Sequence, residues 1–103
     1  MNWLKKLFGT KATVDFKQLQ QNGAIIIDVR SPDEFRSGHI KGSINIPLHS
    51  ITKETARIRK MNKPVITCCL SGGRSSVAKR MLTQAGIEVY NGGGWAGLRS
   101  KIS

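Results

Sequence analysis

Cys69 is the side chain of this sequence best placed to do chemistry. It closes an apolar run, Val65-Ile66-Thr67-Cys68-Cys69, and is followed by Leu70-Ser71-Gly72-Gly73-Arg74-Ser75. Strand, tight glycine-rich loop, arginine, then a hydroxyl residue suited to cap a helix: that order aims backbone N–H groups at the space above a thiol. A thiol reacts as its thiolate, and such a nest, a helix N-terminus and the cations Arg74, Lys79 or Arg80 favour that form. Gly72 and Gly73 matter because a curled loop needs backbone angles that side chains resist. A cysteine at the end of an apolar run is otherwise a small hydrophobe. That reading suits Cys68, whose use as a resolving thiol would require the sheet end to deform. The electropositive loop argues against it for Cys69.

Holding the loop requires a strand before it and a helix after it. Val65–Cys69 is continuously apolar, as is Ala24–Val29, which ends around Asp28; both predict strands buried on two faces of a parallel sheet. Ser75 or Ser76 is expected to open a helix with Val77, Ala78, Met81, Leu82 and Ala85 on one stripe, ended by Gly86. Asp15 to Gln18 reads as a helix start with a capping-box variant, with Gly23 as its stop. Ser31-Pro32-Asp33-Glu34 predicts a capping box opening a short helix before Gly38. His39–Gly42 reads as loop, and Ser43–Ile46 as a brief strand stopped by Pro47. Ile51–Met61 is expected to be helical with Lys53, Arg57 and Lys60 exposed. Ile87–Tyr90 reads as the third strong strand. Gly92-Gly93-Gly94-Trp95 reads as a turn before a last short helix. Strands alternating with helices predict an α/β fold with a mainly parallel sheet covered on both sides. Sites in such sheets lie beyond the strands' C-terminal ends, where Asp28, Arg30 and the Cys69 loop fall.

The bulk properties allow one domain with a single core: the chain has 103 residues, 39% of them hydrophobic. Two adjacent cysteines point to opposite faces of a strand and make no structural disulfide, which places the chain in a reducing, cytoplasmic setting. The net charge is +11, from 17 basic and 6 acidic residues. A charge of that size suits anionic partners, including an acidic protein. A nucleic-acid partner is not expected, because no recognition motif accompanies the charge. Residues 1–12 form a basic and apolar N-terminal extension, with Trp3, Leu4, Leu7 and Phe8 beside Lys5 and Lys6. It is too short to span a bilayer, and a flexible or docked terminus is favoured over contact with an anionic membrane surface. Removing Lys5, Lys6 and Lys11 from +11 leaves +8 for the domain, residues 13–103. No spacing predicts a metal site.

Asp28-Val-Arg30, Glu34-Phe35, Gly38-His39-Ile40-Lys-Gly42 and Asn45-Ile46-Pro47 together resemble the first signature of the rhodanese family. The Cys69–Ser75 loop resembles that family's active-site loop, and Gly92-Gly-Gly-Trp95 its late glycine–tryptophan element. The resemblance runs in order over roughly residues 13 to 100. It implies a small three-layer α/β fold, no cofactor, and a sulfurtransferase working through a Cys69 persulfide. The donor would be a small anion such as thiosulfate, and the acceptor a thiol or, in vitro, cyanide. The same resemblance makes Leu70, Ser71, Gly72, Gly73, Arg74 and Ser75 the substrate-binding loop, whose N–H groups cradle the outer sulfur, with Arg74 orienting the donor or holding the loop. Asp28 and Arg30 are expected to support the pocket's rim through charge-assisted bonds. His39 is expected to pack the loop rather than act as a base, and His49 carries no motif. A persulfide carrier with low turnover is the alternative. A phosphatase or arsenate reductase is disfavoured, because the related loops of those enzymes are one residue longer than the four residues between Cys69 and Arg74.

Overall fold

The computed structural model describes residues 13–103; the N-terminal extension, residues 1–12, expected to be a flexible or docked terminus, lies outside them. Asp15 caps the first helix, α1 (Phe16–Gln21), by accepting the Gln18 N–H at 3.0 Å. The Gln18 side chain donates to Asn22 instead, so the predicted reciprocal box is half made. Strand β1 (Ile25–Asp28) follows, then α2 (Pro32–Ser37). Here the capping box is complete: Ser31 and Glu34 bond each other's backbone N–H, and Pro32 supplies the first helical φ. Next come β2 (Ile44–Asn45), a short 3₁₀ turn at Leu48–Ser50 and α3 (Ile51–Met61). Then follow β3 (Val65–Cys69), α4 (Gly73–Gln84), β4 (Val89–Gly94) and α5 (Trp95–Ile102).

All four strands are parallel, in the order β2-β1-β3-β4. Alternation along β1 and β3 divides the core in two. Ile27, Val65 and Cys69 face α3 and α4 and meet Ile51, Ile58, Ala78 and Leu82. Ile26, Ile66 and Cys68 face the other way, toward Phe16 of α1 and Leu98 of α5. The two cysteines thus belong to different layers, as adjacent strand residues must. Each large aliphatic side chain sealed here contributes about 1.5–3 kcal/mol. Among the described residues no helix is long and apolar enough to cross a membrane.

Two elements differ from the sequence reading. The helix after the loop begins at Gly73, with Gly72 as its cap in the left-handed region at φ +109°. Ser75 therefore lies inside the first turn instead of capping it, because the glycines let the loop wind directly into the helix. Strand β4 runs on through Gly92–Gly94 instead of turning there. Gly94 pairs with Cys69 after a register shift between Thr67 and Cys69. Only glycine permits this path: a Cβ on Gly92 would meet Leu98, Ile66 and the Thr67 carbonyl at 2.8–2.9 Å, and one on Gly94 would lie 2.7 Å from the Leu70 carbonyl.

Candidate active site

Strand β3 delivers Cys69 to the sheet's C-terminal edge, and the loop curls back over its sulfur. The Sγ accepts the Gly72 N–H at 3.0 Å and the Ser75 N–H at 3.4 Å, and lies 3.4 Å from the Ser75 hydroxyl. Burial pushes the thiol's pKa up. The Ser75 hydroxyl and the N–H groups of Ser75, Gly72 and Ser71 outweigh it, so Cys69 ionises below the ordinary cysteine value. One residue earlier the balance reverses. Among the described residues no such donors reach Cys68, and burial, reinforced by the Asp28 charge, raises its pKa to about 12. The chain thus places one activated thiol and one inert thiol side by side.

The first turn of α4 is tied to the sheet from two directions. Thr67, fully buried, donates its hydroxyl to the Ser75 carbonyl at 3.0 Å. From β4, Asn91 Oδ1 stands 2.7 Å from the Ser75 hydroxyl and accepts the Gly93 N–H at 2.9 Å. Sequence reasoning missed Asn91; its place at the C-terminal end of a strand beside three glycines is the one signal that pointed there.

Arg74 is held by α2. Its guanidinium is paired with Glu34 of α2 at 2.7 and 3.0 Å, so it pins the loop to the cap of that helix. The bond to Arg74, with the Ser31 N–H, holds the Glu34 carboxyl down at about 2. The capping pattern and the Glu34-Phe35 motif both mark Glu34 in the sequence, but neither shows its bond to Arg74, which spans 40 positions. Arg74 also lines a mostly apolar cleft of about 350 Å³ with Val29, Ser31, Pro47, Leu48 and His49. Leu70 projects into solvent, 63% exposed.

Asp28 and Arg30 act on the other layer. Their side chains pair at 2.7 Å, both almost fully buried. Arg30 also donates to the Gly38 carbonyl at 2.7 Å and lies 4.8 Å from the centre of the Trp95 ring. The pair therefore fastens the Gly38 turn and α5 to the end of β1, one layer away from the Cys69 sulfur. Asn45 completes the anchorage, donating to the Asp28 and Arg30 carbonyls at 3.0 Å each. His39 stacks on Phe35 at 3.7 Å and bonds the Phe35 carbonyl, which is loop packing. Among the described residues no three His, Cys, Asp or Glu side chains gather as metal ligands would.

A family model, the rhodanese-like domain, matches residues 3–101. The chain belongs to the rhodanese family. It is similar to the thiosulfate sulfurtransferase GlpE of Pseudomonas aeruginosa, at 36% identity over 76 residues, covering 73% of this chain and 68% of that protein. Among solved structures it resembles a rhodanese with anions from E. coli, with a TM-score of 0.66 at 32% identity, over 73% of this chain and 91% of that one. The reduced CoADR-RHD of Bacillus anthracis gives the same TM-score, 0.66, at 37% identity, covering 87% of this chain but 16% of that one. Each rhodanese signature in the sequence thus has a place in the geometry. The first builds the buried Asp28–Arg30–Asn45 anchor and the Glu34 clamp. The second is the sulfur nest. The third passes beneath it as β4.

Proposed function

We propose that this rhodanese-family chain is a sulfurtransferase that carries sulfane sulfur on Cys69. The Cys69 thiolate attacks the outer sulfur of thiosulfate or a similar anionic donor. A Cys69 S–S bond forms as the donor's S–S bond breaks, and sulfite leaves with the electron pair. The outer sulfur of the persulfide then bears the charge. An acceptor thiolate, or cyanide in an assay, attacks that sulfur, breaks its bond to Cys69 and restores the thiolate. This is covalent catalysis in two halves, with ping-pong kinetics.

The observation that carries the reading is the pair of backbone N–H groups, from Gly72 and Ser75, converging on the Cys69 sulfur inside a loop of four residues before Arg74. The first helical bond of α4 is Ser76 N–H to Gly72 C=O. The N–H groups of Gly73 and Arg74 precede it, have no acceptor within the helix, and suit a charged outer sulfur. The relatives named as thiosulfate sulfurtransferases support the same reaction. Two free thiols suit a reducing, cytoplasmic setting. The short loop disfavours phosphatase or arsenate reductase chemistry.

A second reading, sulfur carriage to a protein acceptor, is favoured by Leu70, which stands exposed beside the nucleophile, and by the exposed Lys53, Arg57 and Lys60 of α3, which would meet an acidic surface. A long-lived persulfide with negligible cyanide turnover would select it. The deciding experiment for both is intact-mass measurement after incubation with thiosulfate. One sulfur, about 32 Da, is expected on Cys69 in the native chain and in Cys68→Ala, and none in Cys69→Ser. No adduct from thiosulfate or from persulfidated glutathione would overturn both readings.

A further inference from the structure

The Ser75 hydroxyl has one proton and three neighbours able to accept it. Asn91 Oδ1 is at 2.7 Å, the Gly72 carbonyl at 3.1 Å and the Cys69 sulfur at 3.4 Å. The amide of Asn91 is itself oriented. Its oxygen receives the Gly93 N–H at 2.9 Å, and its nitrogen reaches the Gly72 carbonyl at 3.4 Å. The atom facing Ser75 is therefore an acceptor, fixed by bonds that do not involve Ser75.

We infer that Asn91 is a positioning residue that gives the Ser75 hydroxyl a second orientation, away from the Cys69 sulfur. When Cys69 is a neutral thiol, the hydroxyl proton rests on Asn91 Oδ1 and the S–H donates to the hydroxyl oxygen. When Cys69 is a thiolate, the hydroxyl turns and donates to the charged sulfur. Asn91 Oδ1 then keeps the Gly93 N–H, so no buried acceptor is left bare. The catalytic consequence rests on the sulfur-transfer reading. In the persulfide the charge moves to the outer sulfur and Sγ becomes neutral, so the hydroxyl returns to Asn91. One rotor thus serves both halves of the cycle without gain or loss of a proton.

Other ionisable groups on the elements packed around Cys69 are Cys68 on β3, Asp28 at the end of β1 with Arg30 just after it, Arg74, Lys79 and Arg80 of α4, Glu34 of α2, and His49 in the 3₁₀ turn. Those of β4, α3 and α5 are Tyr90 with Glu88, the outward charges of α3, and Arg99 and Lys101. Among the described hydrogen bonds, none of these groups contacts the Ser75 hydroxyl.

The test is the thiolate absorbance of Cys69 against pH, in a Cys68→Ala background so that one thiol is present. Ser75→Ala removes the donor and is expected to raise the Cys69 pKa by about 1–2 units. Asn91→Ala removes the competing acceptor, destabilises the thiol form, and is expected to lower it by about half a unit. The same Asn91→Ala change made on top of Ser75→Ala is expected to shift nothing. A general loosening of the loop would instead raise the pKa in every variant. The inference is overturned if Asn91→Ala raises the value, leaves it unchanged, or shifts it equally with and without the Ser75 hydroxyl. Should Asn91→Ala fail to fold, Asn91→Asp keeps an oxygen for the Gly93 N–H. It is expected to raise the pKa more when Ser75 is present than when it is alanine, and equal shifts overturn the inference. These titrations use no sulfur donor. A chain that titrates as expected yet forms no persulfide would refute the proposed function alone.

Discussion

Glu34 holds Arg74 with both carboxylate oxygens while the same Oε1 accepts the Ser31 N–H at 3.0 Å. One side chain thus closes the cap of α2 and clamps the loop that follows Cys69. The group is acidic, and its folded pKa of about 2 lies below its ordinary value of 4.5. Its contribution to stability is therefore complete above pH 4.5 and lost as the pH falls toward 2. Thermal midpoints measured from pH 5 to 2 should fall more steeply for the native chain than for Glu34→Gln. At pH 7 Glu34→Gln should also slow sulfur transfer several-fold, because a freed Arg74 no longer fixes the loop. Equal pH slopes in the two proteins would show that the clamp adds nothing to the folded state.

The three glycines of β4 are not equivalent to the glycine of α5, and alanine scanning should separate them. Gly94→Ala places a methyl 2.7 Å from the Leu70 carbonyl, so the loop or the strand must move. Sulfur transfer should drop at least about tenfold, the scale expected when a site is displaced by around 1 Å. Gly92→Ala meets Leu98, Ile66 and Thr67 in the core and should cost about 1–3 kcal/mol in chemical denaturation. Gly97→Ala has open space around it in α5 and should stabilise by about 0.5–1 kcal/mol.

The sheet, its two covered faces and the loop after Cys69 are legible in the sequence because each rests on local pattern. Continuous apolar runs mark buried strands, and Ser31-Pro32-Asp33-Glu34 carries its whole cap within four residues. What the pattern hid was long-range. Arg74 finds Glu34 from 40 positions away, and Asn91 finds Ser75 from 16. The glycine run points to a turn for a related reason. Glycines usually announce a turn, but here Gly92 and Gly94 lack side chains because Ile66, Leu98 and the Leu70 carbonyl occupy the space. Close approach between segments leaves the same sequence mark as a bend. Asp28 and Arg30 stand at the C-terminal end of β1 but on the face that Cys69 does not share, a matter of strand parity that only the register settles.

Among the described residues Arg30 is the single cation bonded to the buried carboxylate of Asp28, through bonds of 2.7 to 3.1 Å. Arg30→Ala would leave that charge without its partner and should destabilise the chain by about 3–5 kcal/mol. Arg30→Lys keeps the charge but loses the planar fork and the stacking on Trp95, and should fall between native and Arg30→Ala. Denaturant titrations of the two variants give the ordering. A lysine variant as stable as the native chain would mean that charge alone matters here.

Cys68 and Tyr90 set the alkaline limit. Burial raises the Cys68 thiol from 9.0 to about 12, and the bond to Glu88 raises the Tyr90 phenol from 10.0 to about 12. For an acid whose folded pKa is raised, the folded chain holds its proton where the unfolded chain has lost it. Stability is therefore intact below the unfolded value and declines as the pH climbs from about 9 to 12. Cys68→Ala should flatten the first part of that decline and Tyr90→Phe the second. The same contrast governs reactivity. Iodoacetamide at neutral pH should label Cys69, whose loop donors favour the thiolate, and leave Cys68 unmodified until the chain unfolds. Peptide mapping that found equal labelling of the two cysteines in the folded protein would contradict the opposed electrostatics of these adjacent thiols.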